Sequence, residues 1–125
     1  SAQFRLPQNR YCIENRAADM TMNVYLAMAI TLSAAVEGVK KKINPGNPTD
    51  RDLYQMTEDE FKKLKIKRLP KNLLQAIELL KKDKLAEEVL GSVMKKSFIS
   101  YKNDEWERYH QAVTDWEVKE YLRLY

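Results

Sequence analysis

The sequence predicts a mainly α chain with an N-terminal β-hairpin, and three observations lead there. Two short runs, Ala2 to Leu6 and Tyr11 to Arg16, flank Pro7, Gln8 and Asn9, residue types that favour turns. After Asn23 the apolar residues recur at helical rather than alternating spacing. Two capping boxes, Thr57 to Glu60 and Thr114 to Glu117, each announce a helix start.

On the second strand side chains alternate, so Cys12, Glu14 and Arg16 share one face. A hairpin register can add Arg5 to that face, and a slip of one residue would turn it away. From Asn23, a suitable N-cap, to about Ile43 the sequence is apolar almost all round, with Tyr25, Leu26, Ala29, Ile30, Leu32 and Val36. Such a helix belongs in a core. Asn44 to Pro48, N-P-G-N-P, stops it, and a loop runs to Met56. A short helix then ends near Leu64, and another covers Asn72 to Lys81, with Leu73, Ala76, Ile77 and Leu80 on one face. A helix over Lys84 to Leu90 should end at Gly91, which tolerates the left-handed conformation of a C-cap. Ser92 to Val113 reads as one long helix. In the last helix Val118, Tyr121, Leu122 and Tyr125 make a stripe that should dock.

The 125 residues fit one domain. A single cysteine excludes an internal disulfide, no signal peptide is evident, and the cytoplasm is the expected location. The charge-free run before Glu37 contains Thr21, Asn23, Thr31 and Ser33, too short and too polar for a membrane span of ~20 apolar residues. The net charge of +4 and pI near 9.1 invite a nucleic-acid reading. Acidic residues, among them Glu58, Asp59, Glu60, Asp83, Glu87 and Glu88, sit within or beside the later lysine clusters, which favours solvated helix faces. Neither nucleic acid nor membrane is expected as a partner. The lone His110 rules out a histidine metal cluster, and Met20, Met22 and Met28 read as gap-fillers. Cys12, with no second thiol, reads as a strand filler.

A carboxylate and a guanidinium on one strand face suit phosphoryl chemistry, since a divalent cation takes hard oxygen ligands and a transferring phosphoryl group needs fixed positive charge. Taken alone, Glu14 and Arg16 would be an ordinary ion pair. The stretch E-N-R-A-A-D-M-T-M-N-V-Y-L from Glu14 to Leu26, however, resembles the E-x-R-x-x-D-x-x-x-N-x-Y-L segment of glutamine synthetases. S-A-Q-F-R-L-P at Ser1 to Pro7 is similar to that family's S-x-x-x-R-[IL]-P strand, and T-D-W-E-V-K-E-Y-L-R-L-Y to its closing segment.

The resemblance implies a single C-terminal fragment, residues 1–125, of a glutamine synthetase catalytic domain, with residues 1–16 an active-site hairpin and 23–125 a helical region. It implies that Glu14 is a ligand of Mg²⁺ or Mn²⁺, that Arg16 holds glutamate and its γ-phosphoryl group, and that Arg5 contacts ATP phosphate. Arg5 and Arg16 are the catalytic candidates. The parent protein would join glutamate and ammonia at the expense of ATP and assemble as a ring-shaped homo-oligomer, and the fragment alone would be inactive. Asp19 and Asn23 also match, with local turn and capping work. The chain departs from the family at Cys12, commonly basic, and at Ala18, Met20 and Val24, commonly proline. Arg10 offers a replacement for the basic residue if the strand already starts there. These departures point to a divergent branch, so two alternatives stand beside the first reading: a γ-glutamyl ligase using another amine, and a non-catalytic helical interaction module.

Overall fold

The computed structural model describes residues 2–49 and 51–124. Its elements are β1 (Phe4–Arg5), β2 (Glu14–Asn15), α1 (Val24–Lys40), α2 (Glu58–Lys63), α3 (Leu73–Lys82), α4 (Lys84–Gln111) and α5 (Asp115–Tyr121). The chain is mainly helical with one two-stranded antiparallel sheet, as the sequence predicts. It divides into two compact units, Ser1–Leu69 and Pro70–Tyr125.

In the first unit the paired strands are shorter than expected. Pairing is confined to Phe4 opposite Asn15 and Arg5 opposite Glu14, with a flanking bond from the Arg16 N–H to the Gln3 carbonyl at 2.8 Å. The connection therefore runs from Leu6 to Ile13, longer than a turn at Pro7 to Asn9 requires. Cys12 lies in it, exposed, and is not a strand filler.

Asn23 caps α1, its side-chain oxygen accepting from the Tyr25 and Leu26 N–H groups. The helix stops before N-P-G-N-P because Lys42 takes a left-handed φ of 50°. The Ile43 N–H then reaches the Gly38 carbonyl at 2.9 Å and the Lys42 N–H reaches that of Val39 at 3.1 Å, a Schellman closure. Lys65, φ 54°, closes α2 in the same way, with Ile66 bonded to Phe61 and Lys65 to Lys62. At its start Thr57 and Glu60 form the expected capping box. Phe61 is the buried residue of α2, and the Arg68 guanidinium lies 4.1 Å from its ring centroid while pairing with Glu58.

The expectation that α1 lies in a core is not met within this chain. None of its residues is buried, and Tyr25, Met28, Leu32 and Val39 stand open to solvent. The physical reason is that no other described element of its unit packs against it. An all-round apolar helix needs cover on every side, and this unit leaves most of its surface bare.

In the second unit α3 packs on α4. Asn72 caps α3 and Asp83 caps α4, and Ile77, Ala86 and the stem of Lys95 are buried. Gly91 breaks α4 with φ 75° and ψ 158°, so the predicted separation of Lys84 to Leu90 from the long helix holds as a kink. Across the kink the Lys95 ammonium donates to the Asp83 carbonyl at 2.7 Å and pairs with Glu87 at 3.2 Å. Thr114 and Glu117 form the second capping box and start α5. That helix does not dock within its unit: Val118, Tyr121 and Leu122 stay exposed, because no described element there offers a facing surface. Tyr125 lies outside the described residues. No described helix is long and apolar enough to cross a membrane.

Candidate active site at the hairpin

Antiparallel pairing puts directly opposed residues on one face of the sheet. Because Arg5 is opposed to Glu14, the two side chains meet: Arg5 Nη1 donates to Glu14 Oε2 at 3.2 Å and to Oε1 at 3.4 Å. Arg16, two residues along β2 from Glu14, lies on the same face with Nε 3.9 Å from Oε2, an ion pair without a hydrogen bond. The register thus gathers all three residues singled out from the sequence.

A fourth member joins them from the connecting segment. Arg10 Nη2 donates to Glu14 Oε1 at 2.5 Å, the shortest of the contacts to this carboxylate. The sequence shows Arg10 four residues before Glu14, but outside a helix that spacing carries no contact signal. The Arg10 and Arg5 guanidiniums hold the Glu14 carboxyl below the usual carboxylate range, and Glu14 in turn raises the Arg10 guanidinium.

The carboxylate is about a quarter exposed, whereas the three arginine side chains are about half exposed or more. A shallow groove of about 410 Å³ along the connecting segment is lined by Arg10 with Leu6, Pro7, Tyr11, Cys12 and Ile13, and by none of the other three. A groove of about 500 Å³ in the same unit, lined by Gln3, Tyr54, Phe61 and Arg68 among others, includes none of the four. Downstream, Asp19 accepts from the Thr21 N–H at 2.7 Å and from its hydroxyl at 2.5 Å, which sets the turn into α1.

Glu14 has the donor chemistry a divalent cation requires, a hard oxygen, and Mg²⁺ often takes only one or two carboxylates beside water and phosphate. Among the described residues no group of three or more His, Cys, Asp or Glu side chains gathers to hold a metal. Glu14 alone could offer a divalent cation one protein ligand, and the described residues bring no others beside it.

The sequence pattern of the family described as glutamine synthetase, catalytic domain, matches residues 1–121. This chain belongs to the glutamine synthetase family. The glutamine synthetase of Methanocaldococcus jannaschii is 39% identical over 98% of this chain and 28% of its own length. That of Thermus thermophilus is 38% identical over 100% of this chain and 29% of its own. A solved structure described as apo GmaS without ligand superposes with a TM-score of 0.72 at 32% identity, over 88% of this chain and 25% of that one. The chain thus spans less than a third of the length of these glutamine synthetases.

Proposed function

We propose that this chain is the C-terminal part of the catalytic domain of an ATP-dependent glutamate–ammonia ligase, and that its hairpin contributes part of the active site. The supporting observation is the register that sets Arg5 opposite Glu14, with Arg16 two residues on. In the proposed reaction the γ-carboxylate of glutamate attacks the γ-phosphorus of ATP, ADP leaves, and ammonia displaces phosphate from γ-glutamyl phosphate to give glutamine.

Arg5 would hold the nucleotide's phosphate, and its guanidinium would meet the negative charge that grows on the transferring oxygens. Arg16 would orient the glutamate carboxylate and then its acyl phosphate, for which a forked donor suits a planar or tetrahedral oxyanion. Glu14 would hold Mg²⁺ or Mn²⁺, which when bound supplies positive charge opposite the phosphates. The arginines are prepositioned by the carboxylate they share.

The 125 residues alone should not turn over. An acyl phosphate survives only where water is kept out, and the guanidiniums that would hold it are about half exposed here. The bare surfaces of α1 and α5 fit cover by the remainder of the parent protein and by neighbouring subunits of a ring. Glutamate, ATP and ammonia are the proposed substrates of that assembly, in the cytoplasm.

The test is release of phosphate and γ-glutamyl product by the full-length protein with glutamate, ATP and Mn²⁺, comparing ammonia with organic amines. Ammonia-dependent turnover is expected, and Glu14→Ala should lower it by more than about a hundredfold, beyond the loss seen when only a ligand's supporting partner is removed. Turnover with an organic amine alone would make the parent a γ-glutamyl-amine ligase. A folded protein with no turnover on any acceptor would leave a fold kept for binding.

A further inference from the structure

The Arg10–Glu14 contact has no part in the reading above. Arg5 is fixed by the strand register and Arg16 by its place beside β2, but Arg10 comes from the connecting segment and reaches Glu14 through a long, exposed side chain. It nevertheless makes the shortest contact, to Oε1, an oxygen that otherwise accepts only the 3.4 Å bond from Arg5. Three guanidiniums around one carboxylate leave two positive charges in excess. A divalent cation added at Glu14 would raise that excess to four, and like charges at this spacing repel. Of the three, Arg10 alone stands on the connecting segment rather than at or next to a paired strand residue, which makes its guanidinium the one to leave, and a polyanion would take up its charge.

We propose that Arg10 occupies Glu14 in the absence of a divalent cation and transfers to the nucleotide's phosphates when the cation takes that carboxylate. The proposal rests on the active-site reading given above. It couples cation and nucleotide binding: the cation frees the guanidinium, and the nucleotide gives it somewhere to go.

The experiment is Mn²⁺ titration of the full-length protein, read as loss of the free-ion electron paramagnetic resonance signal, with and without ADP. Wild type, Arg10→Ala, Arg10→Lys and Glu14→Ala are compared, each checked for folding by circular dichroism. Without ADP, Arg10→Ala should bind Mn²⁺ about two- to fivefold tighter, the range an exposed ion pair allows. The gain in Mn²⁺ affinity that ADP brings should shrink in the same variant. Arg10→Lys, which keeps the charge without the fork, should fall between. Unchanged or weaker Mn²⁺ binding by Arg10→Ala, with Glu14→Ala still losing the ion, would overturn the proposal and leave Glu14 as a ligand. If Glu14→Ala binds Mn²⁺ as wild type does, the active-site reading fails and the role of Arg10 fails with it.

Discussion

Replacing Gly91 by alanine tests whether the kink in α4 is built into the chain, because the two possible backbones predict opposite signs. At φ 75° and ψ 158° the residue sits in a region essentially reserved for glycine, where another residue costs about 1–3 kcal/mol. A Cβ placed there meets nothing within 4 Å, so no clash adds to that figure. In an unbroken helix the same substitution would instead stabilise by roughly 0.5–1 kcal/mol. The Lys95–Asp83 bond gives an independent length argument. These residues are twelve apart, about 18 Å along a straight helix at 1.5 Å per residue, and no lysine spans that. The expected result in Gly91→Ala is a loss of about 1–3 kcal/mol in urea unfolding of the 125-residue chain followed at 222 nm. In parallel, the amine of Lys95, whose side chain is 6% exposed, should gain reactivity toward an acylating reagent, read by mass spectrometry. A variant as stable as the parent or more so, with Lys95 still protected, would refute the reasoning.

Two further outcomes follow from the same physics. Ile77, 2% exposed between α3 and α4, should cost about 2–5 kcal/mol when cut to alanine, and unchanged urea unfolding would show that this contact does not hold the second unit together. Glu14, titrated by carbon-detected NMR, should ionise below an ordinary glutamate because Arg10 and Arg5 donate to it. Its folded value lies below its unfolded one, so its contribution to stability is complete above the unfolded value and is lost as pH falls through the folded value. Arg10→Ala should move the NMR midpoint upward, and an unmoved midpoint would mean the pair does not form in solution.

Helix starts were the most legible part of the sequence. Asn23, Thr57, Asn72 and Thr114 bond to N–H groups two or three residues away, so their work is local and shows in local sequence. The Gly91 break was legible for the same reason. Strand ends were not, since a strand lasts only as long as its partner, and beyond Arg5 and Glu14 the two runs diverge. Helix ends were legible to within a few residues, near Leu64 and about Ile43, but the left-handed closures at Lys42 and Lys65 were hidden, because a lysine at such a position carries no glycine signature. The apolar pattern of α1 spoke correctly of a helix made for a core, but burial depends on surroundings that this chain does not supply. At the site, alternation along β2 joined Glu14 to Arg16, and family resemblance picked out Arg5. Arg10 as a partner of Glu14 came only with coordinates, because its approach depends on the path of an irregular segment.

The sheet that sets Arg5 against Glu14 is two residue pairs long, while the segment joining its strands lies wholly outside the ladder. Insertions and deletions are therefore unequal in their effect. Residues between Leu6 and Ile13 can be gained or lost without disturbing which strand side chains oppose one another, so the stretch can vary in length wherever the reach of Arg10 to Glu14 is kept. A residue inserted between Phe4 and Arg5, or between Glu14 and Asn15, instead slips the ladder by one and turns the side chains beyond it to the opposite face. Lineages carrying this hairpin should record length drift in the loop and almost none within its four paired positions.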